Sequence, residues 1–158
     1  MRGGARIGHT LGMSEHRYEV EVVWSGATTD YRSYSRNHQL LTAGRPPILA
    51  TSDPQFRGDP ERWNPEQLLV ASLSDCHMLW YLHLCATAGV VVTSYRDTAL
   101  GVMDDERFRT VTLRPRITVT DAAMIDKAHG LHAEAHRRCF IANSVNFPVT
   151  HEATIVAE

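Results

Sequence analysis

Three cysteines carry most of the chemical potential in this chain of 158 residues. Cys76 stands in Ser-Leu-Ser-Asp-Cys-His, Ser72 to His77, a polar interruption of an otherwise apolar segment. A thiol in that position is either a satisfied core residue, since free cysteine is among the most buried residue types, or a group whose polar neighbours serve its reactivity. Cys85 follows nine residues later and, at about 100° per helical residue, points roughly 180° away from Cys76. The two cannot meet within one chain, and Cys85 reads as packing. Cys139 ends a different segment whose apolar stripe, Ile125, Ala128, Leu131 and Ala135, must pack on something. The long apolar segment holding Cys76 is the obvious surface, which makes an approach of Cys139 to Cys76 geometrically sensible.

Nine histidines beside three cysteines invite a metal reading, for instance Cys76, His77, His83 and Cys85. Cys76 and His83 share a helical face but Cys85 lies opposite, so this helix alone forms no tetrahedral zinc set. No metal and no cofactor are expected. His129, His132 and His136 recur at three or four residues and are expected to form a polar helix face.

The elements that must position these residues follow from periodicity and punctuation. Tyr18 to Trp24 alternates, with Tyr18, Val20, Val22 and Trp24 on one face, which predicts a half-buried strand. A second strand is predicted from Asp30 to Leu41, with Arg32, Tyr34, Arg36 and His38 on one face, so that two cations lie on one side of a sheet. Gly44, Pro46, Pro47, Pro54, Gly58 and Pro60 then mark a loop-rich crossing with a short strand at Ile48 to Thr51. Asn64 as N-cap, Pro65 at the first helical position, Glu66 at the positive dipole end and Gln67 closing a capping box start a helix running to about Thr87, with Gly89 as its stop. It is apolar nearly all round and is expected to be enclosed. A hairpin is predicted next, Val90 to Met103 with Arg107 to Thr120, turning at Asp104-Asp105-Glu106. Pro115 marks an edge or a bulge, and Val111, Leu113, Ile117 and Val119 share one face. A second helix, capped by Thr120 or Asp121, leads to Cys139, and Val149 to Val156 is a last strand. The order is that of an α+β domain.

Length and composition allow one domain, residues 16–158, with a real core, preceded by a Gly- and Arg-rich leader over residues 1–15 and an internal start at Met13. With 16 Lys+Arg against 18 Asp+Glu, no global field calls for nucleic acid or an acidic membrane surface. No run approaches the ~20 apolar residues that span a bilayer, and no secretory signal opens the chain, so a soluble, cytoplasmic protein is expected. An odd cysteine count there argues against a disulfide framework.

Asn-Pro-Glu-Gln-Leu-Leu (Asn64 to Leu69), Cys76-His77, Gly89, and a second cysteine in Ala-His-Arg-Arg-Cys-Phe-Ile-Ala-Asn (Ala135 to Asn143) together resemble the OsmC/Ohr family over about residues 16–157. The resemblance implies an OsmC-like fold, antiparallel sheets wrapped around two central helices, in an intertwined homodimer with sites between chains. It implies a thiol peroxidase in which Cys76 attacks an organic hydroperoxide or hydrogen peroxide, and Cys139 resolves the sulfenic acid as a disulfide. A dithiol reductant of lipoyl or thioredoxin type then restores the thiols. It also implies that Glu66 positions an arginine. A thiol of pKa near 8.5 is mostly protonated at neutral pH, and burial makes it less reactive, so such a site needs a cation. By the same resemblance that cation comes from the strand of Arg32 and Arg36. Arg32 fits the distance from Trp24, and Arg36, in the polar cluster Tyr34 to His38, is preferred. Ten residues, about 15 Å of helix rise, separate Glu66 from Cys76, so a long arginine or a second chain must join them. The sequence departs from the family in Phe140 after Cys139, where proline is frequent, and in His77 after Cys76. A non-catalytic OsmC-like protein that binds a small ligand or senses redox state is the rival expectation.

Overall fold

The computed structural model describes residues 14–158. The expected start at Met13 and most of the expected leader lie outside the described residues. The described residues give two α-helices and nine strands: β1 (Glu21–Val23), β2 (His38–Leu41), β3 (Ile48–Ala50), α1 (Pro65–Ala88), β4 (Val92–Asp97), β5 (Leu100–Met103), β6 (Phe108–Leu113), β7 (Pro115–Val119), α2 (Ile125–Arg138), β8 (Val149–His151) and β9 (Thr154–Ala157). The α+β expectation holds.

The start and stop of α1 are written locally. Asn64 Oδ1 accepts the Gln67 N–H at 2.8 Å while Gln67 Oε1 accepts the Asn64 N–H at 3.1 Å, a complete capping box. Gly89 ends the helix at φ 74, the left-handed conformation that costs glycine least. By length and composition α1 could cross a membrane, which corrects the expectation that no run approaches that length. Here its stripe Leu73, His77, Tyr81 and Cys85 is buried, as in the core helix of a globular domain, while Leu79 is 57% exposed. The helix is thus enclosed on one stripe of this chain rather than all round.

Three three-stranded sheets form: β1-β2-β3, β4-β7-β9 and β5-β6-β8. The predicted hairpin exists, but it is divided between two sheets. The break falls at Thr98–Ala99 on one arm and Arg114 on the other, and the predicted last strand breaks at Glu152–Ala153. Its halves, β8 and β9, add in parallel to β6 and β7. Asp97 holds the break: Oδ1 accepts the Arg114 N–H at 2.6 Å, and Oδ2 accepts the Ser74 hydroxyl of α1 at 2.6 Å. Pro115 therefore does not mark an edge. β7 is central in its sheet, and the proline occupies its first residue, a position a strand tolerates.

The predicted strand from Asp30 begins only at His38. Asp30 Oδ1 takes the Arg32 N–H at 2.7 Å, and Ser33 closes back on the Asp30 carbonyl at 3.3 Å. An aspartate that bonds its own backbone two residues on makes a turn, so Arg32 and Arg36 do not share a strand face. Asp121 caps a short 3-10 turn, Ala122–Met124, by accepting the Ala123 N–H, and α2 itself begins at Ile125 without a side-chain cap.

The core has two parts. Tyr81, Cys85, Val90, Ile117, Val119, Ala128, Ala135 and Ile155 join the second half of α1 to α2 and the β7 sheet. Leu73, Val111 and Leu113 join its first half to the β6 sheet. Gly101 lets β5 lie close to α1, since a Cβ there would meet Val70 Cγ2 at 2.6 Å.

Candidate functional site

Cys76 and Cys139 lie outside both clusters, where α2 ends against the middle of α1. Cys139 is the C-cap residue of α2 and is 1% exposed, and Cys76 is half-buried beside the Leu73–His77 stripe. The two thiols are neighbours, close enough for Cys76 to act directly on the titration of Cys139. Burial pushes the Cys139 thiol up to about 11; the Ala142 N–H, 3.4 Å from Sγ, pulls against that rise and Cys76 adds to it. All three cysteines are free thiols, and Cys85 is buried one turn beyond Tyr81, its thiol also pushed up by burial. The structure thus brings Cys76 and Cys139 together and keeps Cys85 apart.

The other expected site residues are elsewhere. Arg36 folds onto its own loop: its guanidinium lies 3.7 Å over the Tyr34 ring and 4.8 Å over Tyr31, and it donates to the Tyr31 carbonyl at 2.6 Å. Arg32 is exposed. Among the described residues neither makes an ion pair or hydrogen bond with Cys76 or Glu66. Glu66 lines a groove of about 690 Å³ along α1 with Ser74, Asp75, Met78, Tyr95 and Phe108. Its Oε2 is buried without a hydrogen-bond partner in the described residues. The cation nearest the cysteines in sequence is Arg138, which sits 5.5 Å over the Trp80 ring, one turn beyond Cys76, and pairs with Glu134.

Next to the thiols lies a feature that sequence reasoning missed. His77 and His132 are each 1% exposed, and His77 Nε2 and His132 Nδ1 are hydrogen-bonded at 3.0 Å with their rings parallel to within 2°. Tyr81 stacks on His132 at 4.0 Å, and His151 of β8 lies 5.5 Å from both histidines. His136 follows at 6.2 Å from His151. Burial first, then His151 and His136, brings His77 down to about 4. Burial first, then His77, His151 and His129, brings His132 down to about 3. Both are neutral at pH 7. The expectation of a polar face is therefore corrected for His132, while His129 is exposed as expected. The signal was present: 128, 132, 135 and 139 continue one helical stripe, and three of those positions hold Ala or Cys. Among the described residues no group of three or more His, Cys, Asp or Glu side chains has the arrangement of a metal site.

The family model for OsmC-like protein matches residues 58–154. An OsmC-like protein of unknown function from Vibrio cholerae is 32% identical, with a TM-score of 0.79 over 90% of this chain and 100% of that one. An organic hydroperoxide resistance protein OsmC from Legionella pneumophila (18% identity, TM-score 0.60, 89% and 98% covered) shares the fold. So does an organic hydroperoxide resistance protein from Elizabethkingia anophelis (17% identity, TM-score 0.62, 92% and 100% covered). Comparison with curated proteins gave no match. A family model spanning more than half of the chain, and a relative of the same fold aligned over nine tenths of it, establish that this protein belongs to the OsmC-like family.

Proposed function

We propose that the protein is a cysteine-based peroxidase that reduces organic hydroperoxides. The observation that carries this reading is the closeness of the Cys76 and Cys139 thiols across two packed helices. In this reading the Cys76 thiolate attacks one peroxide oxygen and the O–O bond breaks. The alkoxide takes a proton and leaves as the alcohol, and Cys76 becomes a sulfenic acid. Cys139 sulfur then attacks the Cys76 sulfur: the S–S bond forms, the S–O bond breaks, and hydroxide leaves with the Cys139 proton as water. An external dithiol, of lipoyl or thioredoxin type, takes the two sulfurs back to thiols. An odd count of three cysteines, which argues against a disulfide framework, suits a reducing, cytoplasmic setting.

The thiolate still needs a cation, and Arg36 is the candidate, with Arg32 second. Both lie on a peripheral segment that carries exposed apolar side chains, including Val22 at 65% and Tyr18 at 91%. The partnerless Glu66 Oε2 is an acceptor awaiting a donor. These features support a homodimer in which that segment reaches the groove of the second chain and brings its arginine to Glu66 and Cys76. The rival, a ligand-binding protein without turnover, draws its support from the volume of the groove.

Turnover of cumene or tert-butyl hydroperoxide with a dithiol reductant separates the two. Peroxidase activity at neutral pH, abolished in a folded Cys76→Ser variant, is expected; a slow thiol with turnover indifferent to that substitution points to the binding protein.

A further inference from the structure

The buried stripe of α2 is Ala128, His132, Ala135 and, at its end, Cys139. Two alanines make a smooth surface on which a helix slides and turns at little cost, because apolar contact has no direction. His132 is the one large side chain fully buried on this stripe, and its bond to His77 is a buried directional contact between the helices, whereas the Lys127 ammonium donates to the Ala88 carbonyl at 2.6 Å in an exposed position at the other end of α2. His77 directly follows Cys76. His132 precedes Cys139 by seven residues, two helical turns, and so lies on the same face. The remaining contacts between the helix end and α1, Phe140 against Trp80 at 5.6 Å and Arg138 over the same ring, are at the rim, with Phe140 68% exposed. They do not fix a register.

We propose that the His77–His132 hydrogen bond is the positioning element that sets the register of α2 on α1 and thereby holds Cys139 against Cys76. The inference rests on the peroxidase reading for its purpose, though not for its geometry. A buried polar pair is well suited to this task, because a shifted register leaves both imidazoles unpartnered in an apolar layer. The layer is nearly closed: His77 Nδ1 and His132 Nε2 already have no partner among the described residues, so no alternative is close by. Tyr81 from α1 stacks on His132, and His151 from β8 packs 5.5 Å from both rings.

A role as general base is the obvious competitor, and the directions decide against it. Burial raises the Cys139 thiol and lowers both imidazoles, so passing the thiol proton to either ring is strongly uphill. The pair acts as a neutral link. The chemistry it serves is the second step alone, in which Cys139 sulfur displaces hydroxide from the oxidised Cys76.

The test is the equilibrium between the thiols and the Cys76–Cys139 bridge in a glutathione redox buffer. Oxidised glutathione takes the two electrons and two protons and becomes two reduced glutathiones. The measured quantity is the effective concentration of Cys139 toward Cys76, determined with the folded state checked by circular dichroism. His132→Phe keeps an aromatic ring but no ring nitrogen, and is expected to lower that effective concentration by about tenfold or more. His132→Asn places an amide near the position of Nδ1 and is expected to recover most of the loss. Should His132→Phe fail to fold, His77→Leu and His77→Gln give the same comparison, with the glutamine amide standing in for Nε2. Effective concentrations that agree within about twofold between the hydrogen-bonding and non-bonding variants overturn the proposal. Because glutathione is the oxidant, the result is independent of peroxide. A protein that bridges in glutathione but ignores hydroperoxide fails the peroxidase reading and leaves this inference standing.

Discussion

Lowering the pH from 7.5 to 5 perturbs the histidine layer without touching the ordinary carboxylates, which stay ionised in folded and unfolded chains alike. The folded pKa values of His77 and His132, about 4 and about 3, lie below the unfolded value of 6.5. The unfolded chain therefore binds protons in this window that the folded chain refuses. The stability they contribute is complete above pH 6.5 and is lost as pH falls toward 4. Between 6.5 and 5 each group accounts for up to about 2 kcal/mol, at 1.36 kcal/mol per unit. His151, half-buried and itself pushed down by burial and by His136, acts in the same direction, but it also opens the layer to solvent and screens part of the effect. A total of about 3 kcal/mol is expected, a large share of the 5–15 kcal/mol typical of a domain. Urea unfolding followed by circular dichroism at pH 7.5 and pH 5.0 measures it, and His77→Leu/His132→Leu should remove most of the difference. A loss below about 1 kcal/mol in the unmodified protein, or an equal loss in the double variant, refutes the claim that the pair is buried and neutral.

Other consequences are local. Asn64→Ala removes the acceptor for the Gln67 N–H and should lower stability by about 1 kcal/mol, read as a shifted urea midpoint with unchanged slope. Gly101→Ala puts a Cβ within 2.6 Å of Val70 and 2.7 Å of Phe108; thermal unfolding should show a loss of about 1–3 kcal/mol. Arg36→Met should slow the reaction of Cys76 with hydroperoxide by about tenfold or more and reduce its dependence on salt, as measured by stopped-flow thiol oxidation.

The helix ends were legible because their signals are local: Asn64, Pro65, Gln67 and Gly89 each act within one turn of themselves. The faces of β6 and β7 were legible too, since Val111, Leu113, Ile117 and Val119 are all buried, as their alternation requires. What escaped depends on groups far apart in the chain. The division of one hairpin between two sheets is held by Asp97, which reaches both Arg114 and Ser74, and no periodicity within either strand encodes that. The turn at Asp30 was a local signal overridden by the alternation that followed it. His132 was misjudged by residue type: a histidine among Lys127, His129 and Glu134 reads as polar, although its place on the stripe of Ala128, Ala135 and Cys139 put it inside. The meeting of Cys76 and Cys139 was legible from two stripes that had to pack, whereas the source of a cation for Cys76 was not, since Arg36 turns to Tyr31 and Tyr34 within its own chain.

Mass spectrometry of the reduced protein after one equivalent of an organic hydroperoxide tests the central claim most directly. A single bridge joining the peptides of Cys76 and Cys139, with Cys85 still open to alkylation, is the predicted product. Cys76 carried on to sulfinic acid with Cys139 still a thiol, or all three cysteines unchanged, contradicts a working pair of sulfurs at the junction of the two helices.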